Sequence, residues 1–471
     1  MHLYNTLSGK KEELENTGKR VNLFVCGPTV YDYQHIGNGK TQLVFDLFVR
    51  YLRSEGYKVF YLQNITDIDD KIIKRANESG VSWDKLADDY LKIYLEDIKN
   101  LGIKSVTKYA RATRYIKQIV KQVKTLLEKG YAYKAADGYY FNIAKFADYG
   151  KLSRRTIEQA EDGVSRIDDS TEKINKGDFC LWKLHVDDPY LAEVSKGEPY
   201  WNTPLGKGRP GWHIEDTAIT EKFFGPQYDI HGGGLDLKFP HHEAELAQQE
   251  AASGLKPFVR FWMHSGLVSI NGQKMSKSLG NFITIRDFLK KCSPEIFRYI
   301  VLMHHYRSPI NYSDELQYQA DQSIKNIKEF VAKLNLVKSK NAGKKMSGNV
   351  EVFSLVRDTA GKFRKAMDDD FNTPNALAAI FEFLTLMQTK IWSFSSQDSV
   401  LVKKLIVGKF EIFGFKIEPE NVPNNVMKIA RERERVKSNK QFTDSDALRR
   451  EIEGLGYRVE DTPLGQLILK N

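Results

Sequence analysis

A short apolar run near the start, Val21-Asn22-Leu23-Phe24-Val25-Cys26, leads through a Gly/Pro/Tyr loop into apolar residues at helical spacing (Leu43, Val44, Leu47, Phe48 and Tyr51, within Thr41–Leu52). After Gly56 a second apolar run extends from Lys58 to Ile65. This order constrains the fold more than any other feature: a helix linking two buried strands makes those strands parallel, and repetition of the unit builds an α/β sheet. A Rossmann-like, doubly wound parallel sheet is expected.

The pattern changes between about residues 115 and 209, where a Lys-rich helix is followed by short strand-like pieces such as Gly138-Tyr139-Tyr140-Phe141. That stretch reads as an inserted domain. Strand and turn resume at Tyr228-Asp229-Ile230-His231 with three glycines, so the sheet is split in sequence and continuous in space. From Glu315 the pattern is helical: Ala320, Ile324, Ile327, Val331 and Leu334 step by four and three, and Leu377, Ile380, Phe381, Leu384 and Met387 repeat the theme. The expected organisation is a first Rossmann half over 1–114, an insertion over 115–209, a second half over 210–260, a basic-loop region over 261–314, an all-α helical bundle over 315–417 and a small C-terminal α+β domain over 418–471. Lys338–Asn349 reads as an exposed connector and Pro419–Asn425 as a hinge.

Composition narrows the class. With 41% hydrophobic and 28% charged residues, 14 Pro and 33 Gly, the 471-residue chain is neither disordered nor collagen-like. A net charge of +10 favours a polyanionic partner. Cys26, Cys180 and Cys292 form no disulfide framework, which points to the cytoplasm. The start, Met1-His2-Leu3-Tyr4-Asn5-Thr6, moves straight into charge, so no secretory leader is expected. No uncharged run reaches the roughly 18 apolar residues of a spanning helix, and no membrane partner is expected.

His35-Ile36-Gly37-Asn38 lies between a strand and a helix, where backbone N–H groups and the helix dipole favour phosphate. The next residues, Gly39-Lys40-Thr41, imitate a P-loop, but that pattern needs Gly at position 34, where Gln34 stands. About 240 residues later, Lys274-Met275-Ser276-Lys277-Ser278 places two ammonium groups on a Gly-flanked loop. His241 and Glu245, four apart in helical text, share one helix face, a common spacing for metal ligands, and Cys26 beside the first loop offers a thiolate that zinc accepts. Taken alone, Cys26 is more often a small core residue and His241 more often a hydrogen-bonded one than a metal ligand.

HIGN and KMSKS match the HIGH and KMSKS signatures, in order, and the chain resembles a class I aminoacyl-tRNA synthetase. Gly27-Pro28-Thr29-Val30-Tyr31-Asp32, Asn64 to Ile73 (NITDIDDKII), Gly208 to Glu215 (GRPGWHIE), His231-Gly232-Gly233-Gly234 through His241-His242-Glu243, and Met367 to Pro374 (MDDDFNTP) are similar to cysteinyl-tRNA synthetases in particular. The resemblance runs to Glu460-Asp461-Thr462-Pro463 and covers essentially the whole chain. It implies ATP-dependent ligation of L-cysteine to the 3′ end of its tRNA through cysteinyl-adenylate. His35, Asn38, Lys274 and Lys277 would be catalytic, Asn38 standing in for the second His of HIGH. Gly27, Gly37, Gly232, Gly233, Gly234, Asp236 and Lys277 would bind ATP with Mg²⁺, the glycines letting backbone approach the adenosine. Cys26, Thr66 and Trp212 would form the amino-acid pocket.

The resemblance also implies a zinc ion, held in this family by two Cys, one His and one Glu. Cys26, His241 and Glu245 match, but Asp216 stands where the family has Cys. The expectation is that zinc is kept by Cys26, Asp216, His241 and Glu245, with a harder ligand set. In the tail, Arg431, Arg433, Arg435, Lys437 and Lys440 could meet tRNA phosphates, although Glu432 and Glu434 alternate with the arginines as on a solvated helix face. Phe442 stands where relatives often carry Trp and could stack on an anticodon base. Arg431, Arg435 and Phe442 are the expected tRNA contacts, and the chain is expected to be a monomer. Two rival readings are a cysteine–amino-sugar ligase of the same superfamily, which lacks the anticodon-reading tail, and an RNA-binding derivative without catalysis, against which the intact KMSKS speaks.

Overall fold

The structure is a computed structural model describing all residues except 15–17, 156–169, 171–172, 186–197, 277–278 and 343–347. The chain forms two compact units, Met1–Tyr312 and Ser313–Asn471.

In the first unit a five-stranded parallel sheet runs, edge to edge, Val259–Ser265, Tyr228–Gly234, Arg20–Val25, Lys58–Ile65 and Lys108–Arg111. The chain begins at the centre, winds outward through Lys58–Ile65 to Lys108–Arg111, and after the insertion builds the other half from Tyr228–Gly234. The winding therefore reverses between Arg20–Val25 and Tyr228–Gly234. In sheets of this kind ligands settle outside the carboxyl ends of the strands at that reversal. Leu23, Phe24, Val25, Tyr61 and Leu62 are fully buried, as expected where both faces of a parallel sheet are covered.

The first helix, Ile36–Ser54, starts within HIGN, before its apolar stripe. His35 caps it, its Nδ1 accepting from Asn38 N–H at 3.2 Å. Hydrophobic spacing reports the buried face of a helix, whereas capping sets where it begins.

The insertion is an antiparallel five-stranded sheet containing Gly138–Phe141 and Phe179–Leu184, with the Phe141 and Phe179 rings stacked at 5.0 Å. A separate ribbon carries the second signature: Val268–Ile270 pairs with Gln273–Lys274 and with Ile310–Tyr312. Its tight turn is Asn271-Gly272 with φ of 48° and 79°, a conformation for which Asn-Gly is the favoured pair.

The second unit packs the helices Asp314–Lys340, Val350–Asp368, Thr373–Lys390 and Ser396–Ile412. Ala320, Ile324, Ile327, Val331 and Leu334 are all buried, as are Leu377, Ile380, Leu384 and Met387. Phe381 is half-buried and Phe383 takes the inner place. The helix expected to end near 337 continues to Lys340, and part of the expected connector, 343–347, lies outside the described residues. The tail has two helices, Asn424–Ser438 and Phe442–Gly454, and a hairpin of Tyr457–Thr462 and Gly465–Lys470, closed around Val426, Ala430, Ile452 and Ile468. No helix among the described residues is long and apolar enough to cross a membrane.

Candidate active site

A cleft of about 590 Å³ opens at the reversal of the sheet, large enough for a nucleotide-sized ligand. Cys26 enters it from the end of the central strand. Gly27 is required next, because a Cβ there would lie 1.8 Å from the Asn64 carbonyl oxygen.

His35, Gly37 and Asn38 of HIGN and Lys274 and Met275 of KMSKS line this one cleft. The segment after KMSKS is stitched to HIGN by Ile36 N–H to Ile283 O (3.1 Å) and Ile285 N–H to Gln34 O (2.9 Å). Asn281 ties the loop to that segment, accepting from Ser276 N–H at 2.8 Å and donating to Lys274 O at 3.2 Å. A Cβ on Gly37 would come within 3.4 Å of Met275 Cε. Because His35 Nδ1 accepts from the helix, the proton of its neutral ring belongs on Nε2. Asn38 gives one amide hydrogen to Gln34 Oε1. Lys274 lines the cleft, and Lys277 lies outside the described residues.

Of the three glycines, only Gly234 lines the cleft, beside Asp236. A Cβ on Gly232 would sit 2.2 Å from the Phe45 ring, and one on Gly233 2.7 Å from His242. Those two are small for internal packing, which corrects the expectation that all three meet a nucleotide. At the other end, Cys26, Thr66 and Trp212 share the wall. The Thr66 hydroxyl donates to Glu215 Oε1, and the Trp212 ring stacks on His241 at 4.2 Å.

The helices Ile214–Phe224 and His241–Ser253 bring the ligand candidates to Cys26. His241 Nε2 is 3.1 Å from Asp216 Oδ2 and 2.9 Å from Glu245 Oε1, and Cys26 Sγ is 3.5 Å from Asp216 Oδ2. The four donor atoms lie within 4.8 Å of one another, and all four residues are buried. Asp216 Oδ1 and Glu245 Oε2 have no hydrogen-bond partner. Burial, then Glu245 and Asp216, push the Cys26 thiol well above its ordinary pKa. Burial pulls His241 down, but Glu245 and Asp216 outweigh it and raise its pKa to about 10. Protons thus stand where the protein supplies too little positive charge. Two orphaned carboxylate oxygens and a buried thiol fit a divalent metal, which would hold the sulfur as thiolate.

Sequence reasoning missed His231 and His242. Their Nε2 atoms lie 3.4 and 3.0 Å from Cys26 Sγ, and with Cys26 and Glu245 they form a second possible ligand group behind the cleft wall. Tyr228 OH holds His231 Nδ1 (2.7 Å) and His264 holds His242 Nδ1 (2.9 Å). The available signal was crowding: five of the ten histidines fall between His213 and His264.

Residues 12–322 match the family of tRNA synthetases class I (C) catalytic domain, and residues 362–394 match the DALR domain. The cysteine--tRNA ligase of Thermococcus gammatolerans is 41% identical over 477 residues, covering 99% of this chain and 98% of that one. The chain belongs to the class I cysteinyl-tRNA synthetases. The cysteine--tRNA ligase of Pyrococcus abyssi is 42% identical over 471 residues, covering 98% and 96% of the two chains. In fold, the chain is similar to Mycobacterium tuberculosis methionyl-tRNA synthetase in complex with methionyl-adenylate, with a TM-score of 0.61, 15% identity, and 84% and 89% of the two chains covered.

In this cysteinyl-tRNA synthetase the tail residues divide. Arg431 and Arg435 are exposed, Arg435 pairing with Glu432 at 2.5 Å, and Phe442 is 60% exposed. Arg433 is only 2% exposed and makes two 2.9 Å bonds to the Asp461 carboxylate, which Lys437 also binds. The expectation that Arg433 faces phosphate is corrected: it holds the hairpin to the helix, and the half-exposed Lys437 shares the same carboxylate.

Proposed function

We propose that this synthetase ligates L-cysteine to the 3′ end of the tRNA bearing the cysteine anticodon, in two steps within one cleft. The cysteine carboxylate attacks the α-phosphorus of ATP and pyrophosphate leaves; the terminal ribose hydroxyl then attacks the acyl carbon and AMP leaves. The observation that carries this reading is the Cys26, Asp216, His241 and Glu245 cluster opening into the cleft that His35, Asn38, Lys274 and Met275 line.

Such transfers depend on positioning and electrostatic stabilisation. His35, through Nε2–H, and Asn38, through its amide, donate to the phosphates. Lys274 and Lys277 neutralise the β- and γ-phosphates, with Mg²⁺ on the nucleotide. Asp236 accepts from the ribose, Thr66 orients the main-chain groups of cysteine, and Trp212 walls the pocket. Zinc held by Cys26, Asp216, His241 and Glu245 would supply a soft Lewis acid for the substrate thiolate, a bond for which serine has no neutral-pH equivalent. Shape alone, worth roughly 1–3 kcal/mol per methylene, is too weak for that choice. Arg431, Arg435 and Phe442 present charge and a ring to the anticodon, and the presence of this tail favours tRNA over an amino sugar as acceptor.

ATP–pyrophosphate exchange should require cysteine, and transcribed tRNA with the cysteine anticodon should be charged. Exchange indifferent to cysteine, or ligation to glucosamine derivatives without tRNA charging, would overturn the reading. Lys274→Ala should slow adenylation by about 10²-fold, and a change below about threefold would count against that assignment.

A further inference from the structure

The sequence offers Lys40 as a false P-loop lysine, and the cleft does not use it. Lys40 is 1% exposed and is not among the residues that line the cleft. Its ammonium donates to three backbone carbonyls: Gly266 (2.7 Å), Ser308 (2.8 Å) and Tyr306 (3.4 Å). Burial pulls its pKa down to about 7, and no carboxylate is among the groups acting on it. It also sits near the positive end of the helix dipole, where a cation is disfavoured. A buried ammonium without a counter-charge is costly, so the three carbonyls it satisfies are the only compensation visible around it.

Those carbonyls mark one place. Gly266 is the root of the ribbon that carries KMSKS, immediately before Val268–Ile270 and Gln273–Lys274. Its N–H donates to Tyr306 O at 2.9 Å, and Ile310 N–H donates to Leu267 O at 2.9 Å, so 306–310 and 266–268 are bound together there. They cross so closely that a Cβ on Gly266 would lie 2.3 Å from Ser308 O. Lys40 reaches this crossing from the helix whose first turn is HIGN.

We infer that Lys40 is a positioning residue for adenylation: its ammonium sets the spacing between the HIGN helix and the root of the KMSKS ribbon, and thereby the two walls that grip the triphosphate. The inference rests on the ligase reading above. It assigns Lys40 no contact with substrate, and it separates the two steps, because the triphosphate is gripped only before pyrophosphate leaves.

Lys40→Met keeps an unbranched side chain, one atom shorter, and removes the charge. Cysteine-dependent exchange should fall by about 10²-fold, the scale of an ångström-sized misplacement. The loss should appear in the ATP dependence, with KM for cysteine unchanged, and transfer from preformed enzyme-bound cysteinyl-adenylate to tRNA should stay close to wild type. Lys40→Arg should recover at least about a tenth of wild-type exchange, because the charge is kept. Should Lys40→Met not fold, Lys40→Gln, which removes the charge but keeps a donor for the carbonyls, should show the same split between steps. An equal loss in both steps, or a loss shared equally by ATP and cysteine dependence, would overturn the assignment. Wild-type protein lacking cysteine-dependent exchange would instead sink the ligase reading.

Discussion

Two clusters of charged side chains in this chain have opposite balances. In the cleft, a thiol and two carboxylates, Cys26, Asp216 and Glu245, share one histidine whose pKa is raised, His241. Burial keeps His231 and His242 beside them neutral, and two carboxylate oxygens accept no hydrogen bond. In the tail, one carboxylate, Asp461, faces Arg433, Lys437 and Arg449 at 2.8–2.9 Å. The tail cluster closes on itself and ties a helix to a hairpin. The cleft cluster cannot, since ionising its acids without a counter-cation in a buried place costs too much. Asp46, held by Arg50 and Arg298 at 2.8 Å, is another balanced strut. Close spacing is common to all three; the surplus of negative groups in a buried place singles out the one suited to a ligand.

The largest test of that contrast is Cys26→Ala, which should abolish bound metal by elemental analysis and lower cysteine-dependent exchange by roughly 10³-fold, above the cost of one transition-state donor. Retained metal with near-normal exchange would break the comparison. Next, Asp216→Cys restores the thiolate of the family pattern and should slow loss of zinc to a chelator by about 10- to 100-fold, the range by which ligand surroundings alter affinity. If chelation is no slower, the carboxylate is already an equal ligand. Arg433→Met should cost roughly 1–2 kcal/mol in the tail, less than a fully buried pair because Asp461 is partly exposed. Cysteine-dependent exchange should be unchanged while tRNA charging weakens.

The smallest effect is acid sensitivity of the tail. Hydrogen bonds from Arg433, followed by those from Lys437, hold Asp461 well below the ordinary carboxylate range against the pull of burial. A carboxylate whose folded pKa is depressed contributes stability that is fully present above its unfolded value, near 4, and is lost as pH falls below it. Protection of the hairpin amides, taken relative to their intrinsic exchange rate, should therefore fall as pH drops below about 4, and Asp461→Asn should flatten that dependence.

Much of this was legible in the chain. Apolar spacing located the parallel strands and the buried stripe of Asp314–Lys340, because water imposes the same periodicity on every element that must bury one face. Cys26, His241 and Glu245 could be named because their chemistry is local to each residue and its spacing, while Asp216 and the joint role of HIGN and KMSKS came from resemblance to the family. Gly232, Gly233 and Arg433 were misread for a shared reason: letters that also serve ligands were here spent on internal contacts with Phe45, His242 and Asp461.

The order of residues by itself determined which segments become strands and helices and which side chains carry donors, thiol and charge, since those properties depend on covalent identity and short-range spacing. Only the tertiary structure decided which of them meet. It set His231 and His242 against Cys26 and turned Lys40 toward three carbonyls 226 to 268 residues away along the chain. It also buried one charge cluster with a surplus and closed another, at the surface, on its counter-ions. Those outcomes follow from sheet order and packing, which bring distant segments within a few ångströms and so set the electrostatic balance that no single segment carries.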